Sequence, residues 1–289
     1  MKKNCLTTIV VVFLLLCTNE MRAQTAQAQL NRVCLDNTEQ FSIASDYVKG
    51  ETYMIQVGLP IGYAASDKSY PVFYITDGDI SFGMTKGIAD LLMIGREIQD
   101  IIVVGIGYGQ GLKYRQETRG RDLIPGSDNL IAEGENASGA DNFIQFIQHE
   151  LFPVINKNYR TIPDSSAIGG HSLGGMLNSY ILFKQPELFN KYVIGSPLIY
   201  WDNHTILKLE TEYFNRYKEL NRTVFVYYGS QENKDFTNPI DEFIQNIQTH
   251  NYKGLRLVPR IFEGETHMSV PSVAFTHGLK AVFKRPAGI

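Results

Sequence analysis

A chain of 289 residues that is 44% apolar and 20% charged can build a large core, and it carries none of the compositional marks of a disordered, collagenous or low-complexity protein. Its formal charge of −3 supplies no global basic field, so neither nucleic acid nor an anionic lipid surface is expected as a partner. Length alone does not demand two domains, because single α/β domains of this size are common.

The chain opens with Lys2 and Lys3, an apolar run over residues 6–17 and a polar stretch containing Ala23, which is the layout of a secretory signal peptide. The run is about a dozen residues, whereas a membrane-spanning helix needs about 20, so no stable membrane span is expected. Cleavage is expected after Ala23, with Ala26-Gln27-Ala28 as the alternative, to give an exported chain, periplasmic or secreted. A lipoprotein anchor at Cys17 is disfavoured because Leu16 stands where a small residue belongs. Removing residues 1–23 takes Lys2, Lys3, Arg22 and Glu20 with it and moves the formal charge to −5. Cys5 and Cys17 also fall in the leader, so the mature chain keeps only Cys34 and forms no internal disulfide. Residues 24–44 are expected as an N-terminal extension and 45–289 as one domain.

From residue 50 onward, short β-rich runs alternate with longer amphipathic runs. Strands are expected at 53–59, 72–76, 101–106, 166–169, 192–195, 223–228 and 255–262, and helices at 82–97, 140–158, 173–189, 239–251 and 270–283. This alternation predicts the α/β class, with a mostly parallel sheet covered by helices on both faces. Ile101-Ile102-Val103-Val104 and Val224-Phe225-Val226-Tyr227 are apolar on both faces, as central strands of such a sheet require. Residues 107–139 carry no period and are expected as a long loop, functional or disordered.

The strongest chemical signal is Gly170-His171-Ser172-Leu173-Gly174, a G-x-S-x-G pattern between an expected strand and an expected helix. That setting forces a tight turn at Ser172 and exposes its hydroxyl at a helix N-terminus; the plain alternative is a serine that only caps the helix. A serine hydroxyl needs a base to take its proton. Of the histidines after Ser172, only His267 lies in a loop between the last strand and the last helix, within Phe262-Glu263-Gly264-Glu265-Thr266-His267-Met268. The third member, which would hold the imidazole tautomer, is expected just after strand 223–228. Glu232 is the nearer candidate and Asp235 the alternative, and a Ser–His pair acting alone also stays open. Two backbone N–H groups are needed for the oxyanion. Leu173 supplies one, and Asp79 in Thr76-Asp77-Gly78-Asp79 is the candidate for the other, although Asp-Gly also suits an ordinary turn.

The loop ahead of the elbow offers Lys113, Arg115, Arg119 and Arg121, a cluster able to attract an anionic substrate unless Glu117 and Asp122 pair the arginines in place. Trp201, the single tryptophan, is a candidate for stacking on an aromatic acyl group or for closing the core. No H-x-x-x-H, C-x-x-C or dinucleotide fingerprint occurs, so no metal and no cofactor is expected.

Several segments in this order resemble the esterase D-like branch of the α/β-hydrolases over most of residues 45–284. They are Tyr70-Pro71-Val72-Phe73-Tyr74-Ile75-Thr76-Asp77-Gly78, Arg119-Gly120-Arg121-Asp122-Leu123-Ile124-Pro125, Gly169-Gly170-His171-Ser172-Leu173-Gly174-Gly175, Ser196-Pro197 with Trp201-Asp202-Asn203, and Gly264-Glu265-Thr266-His267-Met268-Ser269-Val270-Pro271. Within that branch the sequence is similar to the siderophore esterases, which include enterobactin- and bacillibactin-type trilactone hydrolases. The resemblance implies the α/β-hydrolase fold and ester hydrolysis through an acyl-serine at Ser172, with His267 as base and Leu173 and Asp79 as oxyanion donors. It departs from the family at Thr76, where leucine is usual, and the acid position is weakly marked. A small-molecule ester is the implied partner. The branch also holds carbohydrate acyl esterases of acetyl and feruloyl type and acyltransferases, and an exported binding protein that has lost catalysis is the competing class.

Overall fold

The computed structural model describes residues 34–109, 116–126 and 139–285. The expected leader with Cys5 and Cys17, the extension up to residue 33, Lys113, Arg115 and the side chain of Glu117 lie outside the described residues. The unit spanning Asp36–Ile289 is built on one sheet.

In chain order the strands are β1 (Thr38–Ala44), β2 (Thr52–Gly58), β3 (Tyr70–Thr76), β4 (Ile102–Gly107), β5 (Thr161–His171), β6 (Lys191–Gly195), β7 (Thr223–Gly229) and β8 (Arg256–Phe262). The helices are α1 (Gly78–Ile94), α2 (Gln116–Leu123), α3 (Gly139–Phe146), α4 (Phe152–Asn158), α5 (Leu173–Lys184), α6 (Trp201–Arg216), α7 (Lys234–His250) and α8 (Val270–Val282). The sheet runs β1-β2-β4-β3-β5-β6-β7-β8. β2 pairs antiparallel with both β1 and β4, and every other pairing is parallel.

Strand residues alternate between two apolar layers, because successive side chains point to opposite faces. Val72 and Tyr74 of β3 enter one layer with Phe143 of α3, Leu177 of α5, Ile206 of α6 and Phe243 of α7. Phe73 and Ile75 enter the other with Phe82 and Leu92 of α1 and Phe275 and Leu279 of α8. Each large apolar side chain buried in this way contributes about 1.5–3 kcal/mol before chain entropy is counted. Two covered faces explain why β3, β4, β6 and β7 are buried along nearly their whole length.

Three departures from the sequence expectations have physical reasons. Thr38–Ala44, within the expected extension, forms an edge strand that pairs with β2 from Thr38 opposite Gly58 to Ala44 opposite Thr52. The expected loop 107–139 contains α2, whose turn is held by ion pairs rather than by an apolar stripe. Helix α7 begins at Lys234, a turn and a half before Pro239, because the Asn233 side chain caps it by accepting the Asp235 N–H at 2.9 Å. Among the described residues, no helix is long and apolar enough to cross a membrane.

Candidate active site

Four neighbouring parallel strands, β5 to β8, end on the same edge of the sheet, and each delivers one polar residue there: Ser172, Ser196, Glu232 and His267. β5 runs into α5 through Ser172, whose φ of 59° and ψ of −117° lie outside the ordinary regions for a residue with a side chain. The turn is locked from both sides, since the Ser172 N–H donates to the Gly195 carbonyl at 2.9 Å and the Met176 N–H to the Ser172 carbonyl at 2.9 Å. The flanking glycines are steric requirements. A Cβ at Gly170 would lie 2.5 Å from the Gly174 backbone, and one at Gly174 would lie 2.2 Å from Thr76 Oγ1. Thr76, the departure from the usual leucine, therefore fills the notch that these glycines leave.

The His267 loop follows β8 and is pinned to the acid loop, where the Gln231 N–H donates to the Glu265 carbonyl at 2.9 Å. His267 Nδ1–H donates to Glu232 Oε2 at 2.6 Å. A carboxylate only accepts, so this bond fixes the tautomer and leaves Nε2 with its lone pair, as a general base requires. The imidazole is still 35% exposed and therefore reachable by a substrate. Its ring lies 4.4 Å from that of His171, the residue immediately before Ser172, so the elbow and the base loop meet. Phe236 stands edge-on to His267 at 5.3 Å, and the half-exposed Tyr200 stands against Phe236 at 5.7 Å.

Between the two acid candidates the geometry is decisive. Glu232 is buried and accepts from Ser196 Oγ at 2.7 Å, from the Gly229 N–H at 2.7 Å and from His267, whereas Asp235 is exposed on the first turn of α7. Burial opposes its charged form, but the hydrogen bonds from His267, Gly229 and Ser196 together outweigh it and hold the carboxyl below its usual range.

Leu173 and Asp79 each sit in the first turn of a helix, α5 and α1, where N–H groups have no intrahelical acceptor. The β3 turn carrying Asp79 adjoins the elbow because β3 and β5 are neighbours. It is tied down by its own carboxylates. Asp77, at φ 55°, takes both ends of a fork from Arg119, at 2.6 and 3.0 Å, and Asp79 accepts the N–H groups of Tyr108 at 2.5 Å and Gly109 at 3.0 Å.

The arginines require a correction. Arg119 is buried against Asp77, and Arg121 bonds Asp122 at 2.6 and 3.0 Å and Glu51 at 3.1 Å. Neither guanidinium is the solvent-facing cation that the anion-attracting cluster requires, because each is committed to a carboxylate inside the fold. Trp201 is also not a free platform: it begins α6 and packs, partly buried, against the larger core layer. Three sequence features carried no assigned role although they stand at the site. Ser196 bonds Glu232, His171 lies beside His267 with its ring tilted, and Asp77 braces the turn. Ser196-Pro197 was visible as a motif, but only the β6–β7 pairing shows what the hydroxyl touches. Among the described residues, no group of three or more His, Cys, Asp or Glu side chains is placed to hold a metal ion.

With this geometry in place, three kinds of comparison with known proteins agree. The Esterase family model matches residues 45–264. The ferri-bacillibactin esterase of Bacillus subtilis is 28% identical over 250 residues, covering 80% of this chain and 85% of its own. The siderophore triacetylfusarinine C esterase of Aspergillus fumigatus is 28% identical over 284 residues, covering 87% and 95%. Among solved structures, the BES protein from Bacillus cereus superposes with a TM-score of 0.80 at 29% identity, covering 89% of this chain and 98% of that one. The mostly parallel sheet with helices on both faces is the α/β-hydrolase fold that the sequence resemblance implied.

Proposed function

The chain belongs to the Esterase family and is a carboxylic ester hydrolase, and from that premise we propose that it cleaves the ester bonds of a ferric siderophore through an acyl-serine at Ser172. In this scheme the Ser172 hydroxyl attacks the ester carbonyl carbon while its proton passes to His267 Nε2. The carbonyl π electrons move onto oxygen, and that oxyanion is met by the Leu173 and Asp79 N–H groups. Collapse re-forms the carbonyl, breaks the C–O bond and expels the alcohol, which leaves with the proton from His267. Water then repeats the sequence on the acyl-serine and frees the carboxylic acid. Glu232 holds Nδ1–H throughout and stabilises the imidazolium.

The observation that carries the reaction class is the Glu232–His267 hydrogen bond, with the His267 ring 4.4 Å from that of His171, the residue before the strained Ser172. The substrate class is supported by the names of two relatives that span most of this chain, both esterases of siderophores. The exposed Tyr200 and the Phe236 edge beside His267 would suit an acyl group with an aromatic ring. The lysine-led apolar run before Ala23 supports placing the activity outside the cytoplasm, in the periplasm or the medium.

The test is product mass spectrometry of the purified mature chain given a ferric trilactone siderophore, an acetylated sugar and a feruloylated sugar, with Ser172→Ala as the control. Faster cleavage of the siderophore, and its loss in Ser172→Ala, is the expected result. Preference for either sugar ester would overturn the substrate class, and equal turnover by variant and wild type would remove the nucleophile.

A further inference from the structure

We infer that Ser196 is a fourth member of the relay, a positioning residue that fixes the Glu232 carboxylate so that one oxygen is anchored and the other is presented to His267. The inference rests on the esterase reading of the same site. The two carboxylate oxygens have separate partners. Oε1 accepts from Ser196 Oγ and from the Gly229 N–H, each at 2.7 Å, and Oε2 accepts from His267 Nδ1 at 2.6 Å. A carboxylate held at one oxygen by a single donor can still rotate about that bond, and a second donor from a different strand removes the freedom.

Two further observations separate this role from ordinary packing. Ser196 is fully buried, and a buried hydroxyl is costly unless it is bonded, so its commitment to Glu232 is the feature that makes serine tolerable there. Its backbone has a φ of 36°, a region that disfavours any residue with a Cβ. Glycine would fit that conformation more easily, yet the position carries a side chain whose hydroxyl points at the acid. The backbone is secured independently, since the Ser196 N–H donates to the Tyr227 carbonyl at 2.7 Å. Deleting the hydroxyl therefore leaves the local chain path with its own support.

The titratable groups acting on Glu232 are His267 from the loop after β8, His171 at the end of β5, and Tyr227 and Tyr228 on β7. Burial pushes His171 down to about 3 and pushes both tyrosines up, so all three stay neutral across a neutral assay range. A moved acid limb then reports the Glu232–His267 pair as a unit.

The experiment measures kcat and KM for p-nitrophenyl acetate against pH in wild type, Ser196→Ala, Glu232→Gln and the double variant, with fluorophosphonate labelling of each. The expected result is a fall in kcat of roughly 10- to 150-fold in Ser196→Ala, the worth of one hydrogen bond to a charged group, with KM unchanged. The acid limb should move to higher pH, and Ser196→Ala should cost nothing more in the Glu232→Gln background. Ser196→Gly removes the hydroxyl while relieving the positive φ, and it replaces Ser196→Ala if that variant does not fold. An unchanged pH profile in a folded variant, or an equal loss in both backgrounds, overturns the inference while leaving the esterase intact. A wild-type chain that neither labels at Ser172 nor turns over ester overturns both.

Discussion

His171, the residue before Ser172, sits where the elbow meets the His267 loop. Its ring lies 6.0 Å from that of Tyr227, nearly parallel at 13°, and 4.4 Å from His267, with the Tyr227 hydroxyl 3.4 Å from Nδ1. Burial is the main reason that its proton affinity falls to about 3, and a charge on His267 pushes in the same direction. A neutral ring is what a developing imidazolium at 4.4 Å tolerates. The sign of the stability effect follows. An unfolded His171 takes a proton as pH falls below about 6.5, whereas the folded one does not until about 3, so the unfolded state binds more protons in that window and stability drops as pH falls. By pH 4.5 this one group costs about 2–3 kcal/mol relative to neutral pH. His171→Phe keeps a ring and removes the proton. Urea unfolding at pH 7 and pH 4.5 should therefore show a smaller acid loss in His171→Phe than in wild type, and identical losses would mean that His171 is protonated in the folded chain.

At the scale of elements, the site depends on how closely α5 approaches β6. A Cβ on Gly175 would lie 2.3 Å from the Gly195 carbonyl oxygen, the atom that also accepts the Ser172 N–H. Both partners are backbone, so no side chain can yield. Gly175→Ala should destabilise by roughly 1–3 kcal/mol, as overpacking does, and should reduce fluorophosphonate labelling of Ser172 because it disturbs the elbow's own hydrogen bond. Gly87→Ala, in α1 with open space around its Cβ, should instead be neutral or stabilise by about 0.5–1 kcal/mol. Thermal melts of the two variants make the comparison. The same contrast explains what the sequence could reveal. β3, β4, β6 and β7 were legible because both of their faces are buried and their apolar runs are dense. β1 escaped because Glu39, Gln40, Ser42 and Ala44 are exposed on this edge strand, with Phe41 and Ile43 packing inward. Helix α2, Gln-Glu-Thr-Arg-Gly-Arg-Asp-Leu, has no apolar stripe, so a search for hydrophobic periodicity cannot find it. At the site, Ser172 and His267 were readable from the order of elements. The choice of Glu232 over Asp235 rested on distance along the chain alone until burial and three hydrogen bonds distinguished them.

Across the whole molecule, the segment 116–126 links parts of the sheet that the chain itself does not connect. Through Arg119 it holds Asp77 at the end of β3, 42 residues away, and through Arg121 and Asp122 it holds Glu51 and the Tyr53 hydroxyl at β2, the latter at 2.7 Å. These pairs lie inside the fold, where removing one partner strands a charge. Arg119→Met should therefore lower unfolding stability by about 3–5 kcal/mol, and adding Asp77→Asn should restore much of it, since buried pairs are costly chiefly when broken on one side. The turn carrying the Asp79 N–H is braced by the same pair, so Arg119→Met should also lower kcat on p-nitrophenyl acetate, a neutral ester with no anion to attract. A cation that serves only to draw in a charged substrate behaves in the opposite way: its loss raises KM for the ferric siderophore alone and leaves the urea midpoint and the neutral ester untouched. Measuring both substrates and the midpoint in Arg119→Met decides whether this arginine works as part of the scaffold or as a lure.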